Sequence, residues 1–214
     1  MKILAVDVGT GTQDIFLYDS RLDLENGFKL IMPAPTMIVN RRLREATRRK
    51  ESILLTGVTM GGGPAAWAIE AHLHAGQKVF ATAEAAKTLN DDLEAVGAMG
   101  IQLVSEDEAR RLPDSIRRLH MADFDPIALR YALAPFGLSL HGLDAVAVAV
   151  FDHGAAPAGV SDRRFRFDYL DERIRAENRL SAFAYPAAQI PPALTRLAAV
   201  AKSAGEIPAP LVVM

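Results

Sequence analysis

The sequence predicts an α/β fold: a mixed sheet that opens with an antiparallel hairpin and continues in strand–helix units. Three observations predict it. Residues 3–8 and 15–18 are apolar runs on either side of Gly9-Thr10-Gly11-Thr12, the pattern of two strands around a tight turn. From Ser52 onward, short apolar runs alternate with loops and helix-forming segments, as in a largely parallel sheet covered by helices. Residues 145–151 form an unbroken Ala/Val run ending in Phe151, the signature of a strand buried on both faces.

Each element follows from local chemistry. Residues 19–27 read as turn and loop, and residues 28–32 as a third strand closed by Pro33 and Pro35. Residues 41–50 form a basic helix in which Glu45 lies four residues from both Arg41 and Arg49. Residues 53–56 are a buried strand, Gly61-Gly62-Gly63 a permissive loop, and Pro64 suits the first turn of a helix over 65–74, with Trp67 expected in the core. A strand over 78–82, a helix over 83–93 and a strand over 101–104 follow, and residues 115–120 add another strand. Asp125-Pro126 opens a helix reaching Phe136, with Gly137 as its stop. After the 145–151 strand come a loop over 155–161, a charged helical segment over 167–184, interruptions at Pro186, Pro191 and Pro192, and a helix over 192–203. Residues 211–214 read as the start of a buried strand.

Composition excludes several classes. The 214 residues suffice for one large domain or two small ones, with half the residues hydrophobic, as in an ordinary globular core. A formal net charge of -2 supplies no bulk attraction to nucleic acid or membrane. The basic 41–50 segment lacks interleaved aromatics and reads as a solvated helix face, so nucleic acid is not an expected partner. No run approaches the ~20 apolar residues of a membrane helix, and the N-terminal residues lack a signal-peptide layout, so the cytoplasm is the default location. With no cysteine, disulfides, thiolate-held zinc, iron–sulfur clusters and thiol nucleophiles are unavailable.

Three segments carry candidate chemistry. At the end of the first strand, Asp7 supplies a hard oxygen ligand suited to hydrated magnesium. Gly9 and Gly11 let an anion approach the backbone, and Thr10 and Thr12 add hydroxyl donors. A plain hairpin turn is the alternative. Gly61, Gly62 and Gly63, between a strand and a helix, form a second anion-site candidate, since free amides and the helix dipole favour negative charge there. The loop carries neither a Walker Gly-Lys-Ser/Thr sequence nor the dinucleotide Gly-x-Gly-x-x-Gly spacing, and a tightly turned connection is its alternative. Asp152 and His153 follow a strand end, where they could orient water, bind metal or touch substrate, or simply terminate the strand. Arg163, Arg164 and Arg166 lie downstream as possible anion contacts, while His72 and His74 point to different faces of one helix and do not read as a shared metal site.

Asp7-Val8-Gly9-Thr10-Gly11-Thr12-Gln13 resembles the first phosphate motif of the superfamily containing actin, sugar kinases, acetate kinase and the heat-shock chaperone ATPases. More narrowly, that motif, Leu55–Pro64 and Phe151–Gly154 resemble an uncharacterised prokaryotic family of that superfamily, some of whose members carry the label pyruvate formate-lyase activating enzyme. The resemblance implies the N-terminal domain of an actin-like, ribonuclease H-like ATPase over residues 1–207, with ATP and magnesium as cofactors. It implies Asp7 as the water-bridged metal ligand, Gly9 to Thr12 as the phosphate cradle and Gln13 as a group orienting water or a phosphate oxygen. It also implies that residues 208–214 begin a strand of a missing second domain, the expected partner, which would hold the other phosphate turn. A non-catalytic interaction or sensor domain, and a small-molecule enzyme using Asp152 and His153, stay open as alternatives, as does a homo-oligomer. Radical activation of pyruvate formate-lyase is rejected, because its cluster requires cysteine thiolates.

Overall fold

The computed structural model describes every residue except Ala158, Glu206 and Pro208. The chain forms two compact units: residues 1–9, 13–32 and 124–214 make the first, and residues 10–12 and 33–123 the second.

The chain begins with β1 (Lys2–Val8) and β2 (Thr12–Asp19), paired antiparallel with Val8 opposite Gln13 and Asp7 opposite Asp14. β3 (Phe28–Pro33) lies beside β2, as the sequence predicts. The expected basic helix is α1 (Pro35–Arg49), longer at its start because Pro35 occupies its first turn. Glu45 pairs with Arg49 at 2.6 Å, one of the two i,i+4 partners the sequence offers.

Next come β4 (Ile53–Gly57), α2 (Gly63–His74) and β5 (Val79–Thr82). The helix expected over 83–93 is broken into α3 (Ala83–Ala86) and α4 (Leu93–Ala98), because the Asp92 carboxylate accepts hydrogen bonds from the amides of Glu94 and Ala95 and starts a new helix. β6 (Gln102–Val104), α5 (Glu106–Arg111) and β7 (Arg117–Met121) complete this stretch. Sequence reading missed α5, although Ser105 and Glu108 form a capping box.

The final third holds α6 (Pro126–Leu133), which ends in a short 3-10 turn before Gly137 at φ 69°, then β8 (Ala145–Val150) and α7 (Asp162–Glu177). The α7 span lies upstream of the 167–184 expectation: Ser161 caps its start, and Asn178 at φ 42° ends it. β9 (Tyr185–Pro186), α8 (Thr195–Ala204) and β10 (Leu211–Val213) follow.

Among the described residues, the first unit holds a six-stranded mixed sheet in the order β3-β2-β1-β8-β10-β9. In the terminal segment 208–214, β10 pairs in parallel with β8 and Val213 is fully buried; Pro208 lies outside the described residues. β8 is not buried on both faces. Val146, Val148 and Val150 enter the core with Leu4, Val6, Val8, Ile15, Leu17, Leu129 and Leu197, while the alternate alanines stay half-buried.

The second unit holds a four-stranded parallel sheet in the order β6-β5-β4-β7. Its core joins Val39 and Leu43 of α1 to Ile53, Leu55, Ile69, Val79, Leu119 and Met121. Trp67 is 67% exposed, contrary to expectation, because Ala65, Ala68, Ile69 and His72 form the buried stripe of α2 and Trp67 falls on the opposite face. His72 is buried beside α1, its Nδ1 2.8 Å from the Thr47 hydroxyl, which itself donates to the Leu43 carbonyl.

Burial holds the His72 pKa below the usual 6.5. The unfolded chain therefore takes up the proton first, and the contribution is complete above the unfolded pKa and lost as pH falls toward the folded one. The urea midpoint is expected to fall between about pH 7 and pH 5, and to fall less in His72→Gln. Identical pH dependence in the two proteins would remove His72 as the cause.

Candidate functional site

In the second unit the chain runs from β4 to β5 and β6 on one side, then returns to β7 on the other side of β4. Strand order therefore reverses between β4 and β7, and open parallel sheets bind ligands outside the carboxyl ends of strands at such a point. Two segments emerge there: residues 57–63 after β4, and Ala122-Asp123 after β7. Asp123 is only 2% exposed, and both of its carboxylate oxygens lie 3.1 Å from the Gly61 amide that donates to them. Farther along the loop, the Met60 amide donates to the Thr88 hydroxyl and the Thr59 hydroxyl donates to the Glu84 carbonyl. The loop is thus anchored to β7 and to the α3 region.

The turn residues Thr10, Gly11 and Thr12 belong to this same unit. The Ala34 amide, just before α1, donates to the Gly11 carbonyl at 3.0 Å. The Thr36 hydroxyl in the first turn of α1 donates to the Gly62 carbonyl at 2.7 Å and accepts from the Ala65 amide in the first turn of α2. A Cβ placed on Gly63 would sit 3.7 Å from the Thr10 methyl. Two helix N-termini and two Gly-rich loops therefore meet at one place. The turn is open: Gly9, Thr10, Gly11, Thr12 and Gly63 are exposed, and a Cβ on Gly11 would meet nothing within 4 Å. The amides of Thr10, Gly11, Gly62 and Gly63 have no acceptor among the described residues. The Gly61 amide is engaged by Asp123, so of the three loop glycines only Gly62 and Gly63 offer free amides to an anion.

In the first unit, Asp7 is exposed near the end of β1, directly across from Asp14 and beside Ala149 of β8. Sequence reading did not single out Asp14. The register around the four-residue turn, Val8 opposite Gln13, was the signal that sets Asp7 against it. Two carboxylates directly opposite on a sheet repel unless a cation lies between them. Gln13 is buried on the face that carries Ile15, one residue out of phase with Asp7 and Asp14.

Asp152 and His153 play separate parts. The Asp152 carboxylate accepts from the Gly154 amide at 2.8 Å and from the Leu197 amide at 2.9 Å, capping the first turn of α8. Among the described residues no hydrogen bond joins it to His153, whose ring stands edge-on to Phe151 with centroids 5.3 Å apart. Burial, and then the Arg166 guanidinium, hold the His153 pKa below its ordinary value. Gly154, at φ 73°, lets the Phe165 ring approach: a Cβ there would overlap it. No helix is long and apolar enough to cross a membrane, among the described residues.

Fold and site together define an α/β protein with a mixed sheet and a parallel sheet, the latter carrying a Gly-rich loop at its switch point. The chain belongs to the family described as "Putative pyruvate format-lyase activating enzyme (DUF1786)", whose profile matches residues 60–214. A comparison with curated proteins finds no match.

Replacing Asp123 by Ala leaves the Gly61 amide without its anion. Asp123→Ala is expected to lower unfolding free energy by about 1.5–3 kcal/mol, with Asp123→Asn recovering part of the loss through its remaining acceptor oxygen. Urea denaturation measures both. Unchanged midpoints would mean that other contacts hold the loop.

Proposed function

We propose that this chain is a nucleotide-phosphate-binding protein that takes magnesium-ATP, as its resemblance to actin-like and sugar-kinase-like ATPases implies. One observation carries the assignment: within the second unit, the starts of α1 and α2 are hydrogen-bonded to the Thr10–Thr12 and Gly61–Gly63 segments, and the amides of Thr10, Gly11, Gly62 and Gly63 have no acceptor among the described residues. Converging helix N-termini and unpaired amides suit a polyanion. The mixed sheet of the first unit, which starts with an antiparallel hairpin, agrees with the actin-like, ribonuclease H-like resemblance.

The residues present fit the group. Within the second unit, the Thr10 and Thr12 hydroxyls and the amides of Thr10, Gly11, Gly62 and Gly63 would hold phosphate oxygens; the first unit, taken by itself, offers Asp7 opposite Asp14 as oxygen ligands for a hydrated magnesium ion. Magnesium neutralises phosphate charge when bound. What this chain supplies is binding and orientation: its amides fix the phosphate, and its carboxylates fix the cation. Transfer to an acceptor calls for further groups, which in the superfamily come from a second domain. The chemistry in the family's description does not fit these residues, because a sequence without cysteine has no thiolates for an iron–sulfur cluster.

Titration with magnesium-ATP, followed by amide resonances, tests the proposal. Shifts at residues 10–12 and 62–63, and at Asp7 and Asp14, are expected, with affinity weakened about tenfold, or about 1.4 kcal/mol, in Thr10→Ala. Absence of any shift at millimolar magnesium-ATP would falsify it. Shifts with inorganic phosphate equal to those with ATP would reduce it to an anion site without nucleotide preference.

A further inference from the structure

The first unit contains a separate cavity of about 130 Å³, bordered by Phe165, Leu170, Phe183, Leu194 and Leu197 and by the polar residues Asp152, His153, Arg166, Tyr169 and Tyr185. Most of those polar groups already have partners. Asp152 caps α8, and the Tyr169 and Tyr185 hydroxyls bond each other at 2.6 Å. Among the described residues, Arg166 and His153 make no hydrogen bond or ion pair. The Arg166 guanidinium stacks on Phe151, 4.0 Å from the ring centroid, with Phe167 at 4.9 Å. Its Nε is buried without a hydrogen-bond partner, and no ion pair forms on it among the described residues. An unpaired guanidinium with a buried donor, held in the wall of an apolar cavity, is a polar group awaiting a partner.

Three features define that partner. The charge calls for an anion, and the planar guanidinium fork matches a carboxylate. With one guanidinium in its lining, the cavity suits one negative charge rather than the several of a polyphosphate. The volume suits a compact body, since a cavity of about 150 Å³ with apolar walls accepts benzene. Asp152 and Asp162 both act electrostatically on His153, with the Asp152 charge offset in part by two amides and the N-terminus of α8, so Arg166 is the group that attracts the anion. We propose that this cavity binds a small monocarboxylate with a compact aromatic or branched aliphatic body, its carboxylate on Arg166 and His153 and its apolar body among Phe165, Leu170 and Phe183. The site shares no residue with the phosphate loops and stands or falls independently of the nucleotide assignment.

Benzoate and 3-methylbutanoate, titrated into the full chain by calorimetry and side-chain resonances, test it, with benzamide as the uncharged control. Benzoate or 3-methylbutanoate is expected to bind and to shift His153 and Tyr185 resonances, with benzamide at least tenfold weaker. Arg166→Gln, which keeps the stem and removes the charge, is expected to weaken the carboxylate at least tenfold and leave benzamide unchanged. Equal binding of benzoate and benzamide would overturn the proposal in favour of an apolar void. So would shifts located away from His153 and Tyr185 in the parent protein, a reading that does not depend on the variant folding. Absence of binding by both carboxylates would also overturn it.

Discussion

A buried carboxylate organises the second unit. Asp123 lies at the carboxyl end of β7 and takes the Gly61 amide that follows β4, so the ends of two adjacent parallel strands are joined by one charge-assisted contact. The amino ends of the same strands are joined by another: Arg117, the first residue of β7, bonds Glu51, just before β4, at 3.2 Å and Glu45 of α1 at 2.9 Å. Charge therefore fixes the β4–β7 pair at both ends. The consequence is local. With Gly61 held, Gly62 turns its carbonyl to Thr36 and α2 starts at Gly63, which sets the direction in which the remaining amides of the loop point.

Burying Asp123 is costly unless its oxygens are hydrogen-bonded, and removing one partner of such a pair leaves an uncompensated charge. That asymmetry explains why a carboxylate, rather than an apolar side chain, stands at the switch point of the sheet. It also accounts for the division of labour within the loop. Gly61 serves the fold, while Gly62 and Gly63 continue into the helix N-terminus with their amides unclaimed. The contact with Asp123 pre-shapes the loop, and pre-shaping reduces the ordering cost of any binding there.

Local patterns were legible in the sequence wherever the cause is local. The alternation of Leu4, Val6 and Val8 against Ile15 and Leu17 gave the hairpin and its register; Gly137 gave the end of α6; Pro64 gave the start of α2. What was not legible depends on which strands become neighbours. Strand–helix alternation looks the same for one sheet or two, so the insertion of residues 33–123 into the first unit left no mark. Leu211–Val213 read correctly as a strand, yet its partner β8 lies far upstream, and nothing near the strand names that partner. Asp123 sits in a short loop between a strand and Asp125-Pro126, where a carboxylate ordinarily faces water; only the pairing of β7 with β4 brings it to Gly61. Trp67 misled because size suggested burial, whereas the helical stripe of Ala65, Ala68, Ile69 and His72 decided its direction.

The family's description and the residues of this chain point to different chemistry, and hardness of the available ligands separates them. Iron–sulfur centres need soft thiolates, and this sequence has none. Its polar groups outside ion pairs are hard: the opposed carboxylates of Asp7 and Asp14, threonine hydroxyls and backbone amides. Hard oxygen ligands favour magnesium over soft metals, and amides at helix N-termini favour oxyanions. The iron–sulfur chemistry of the family's description would have to draw its ligands from thiolates, and this sequence offers oxygen and nitrogen donors instead.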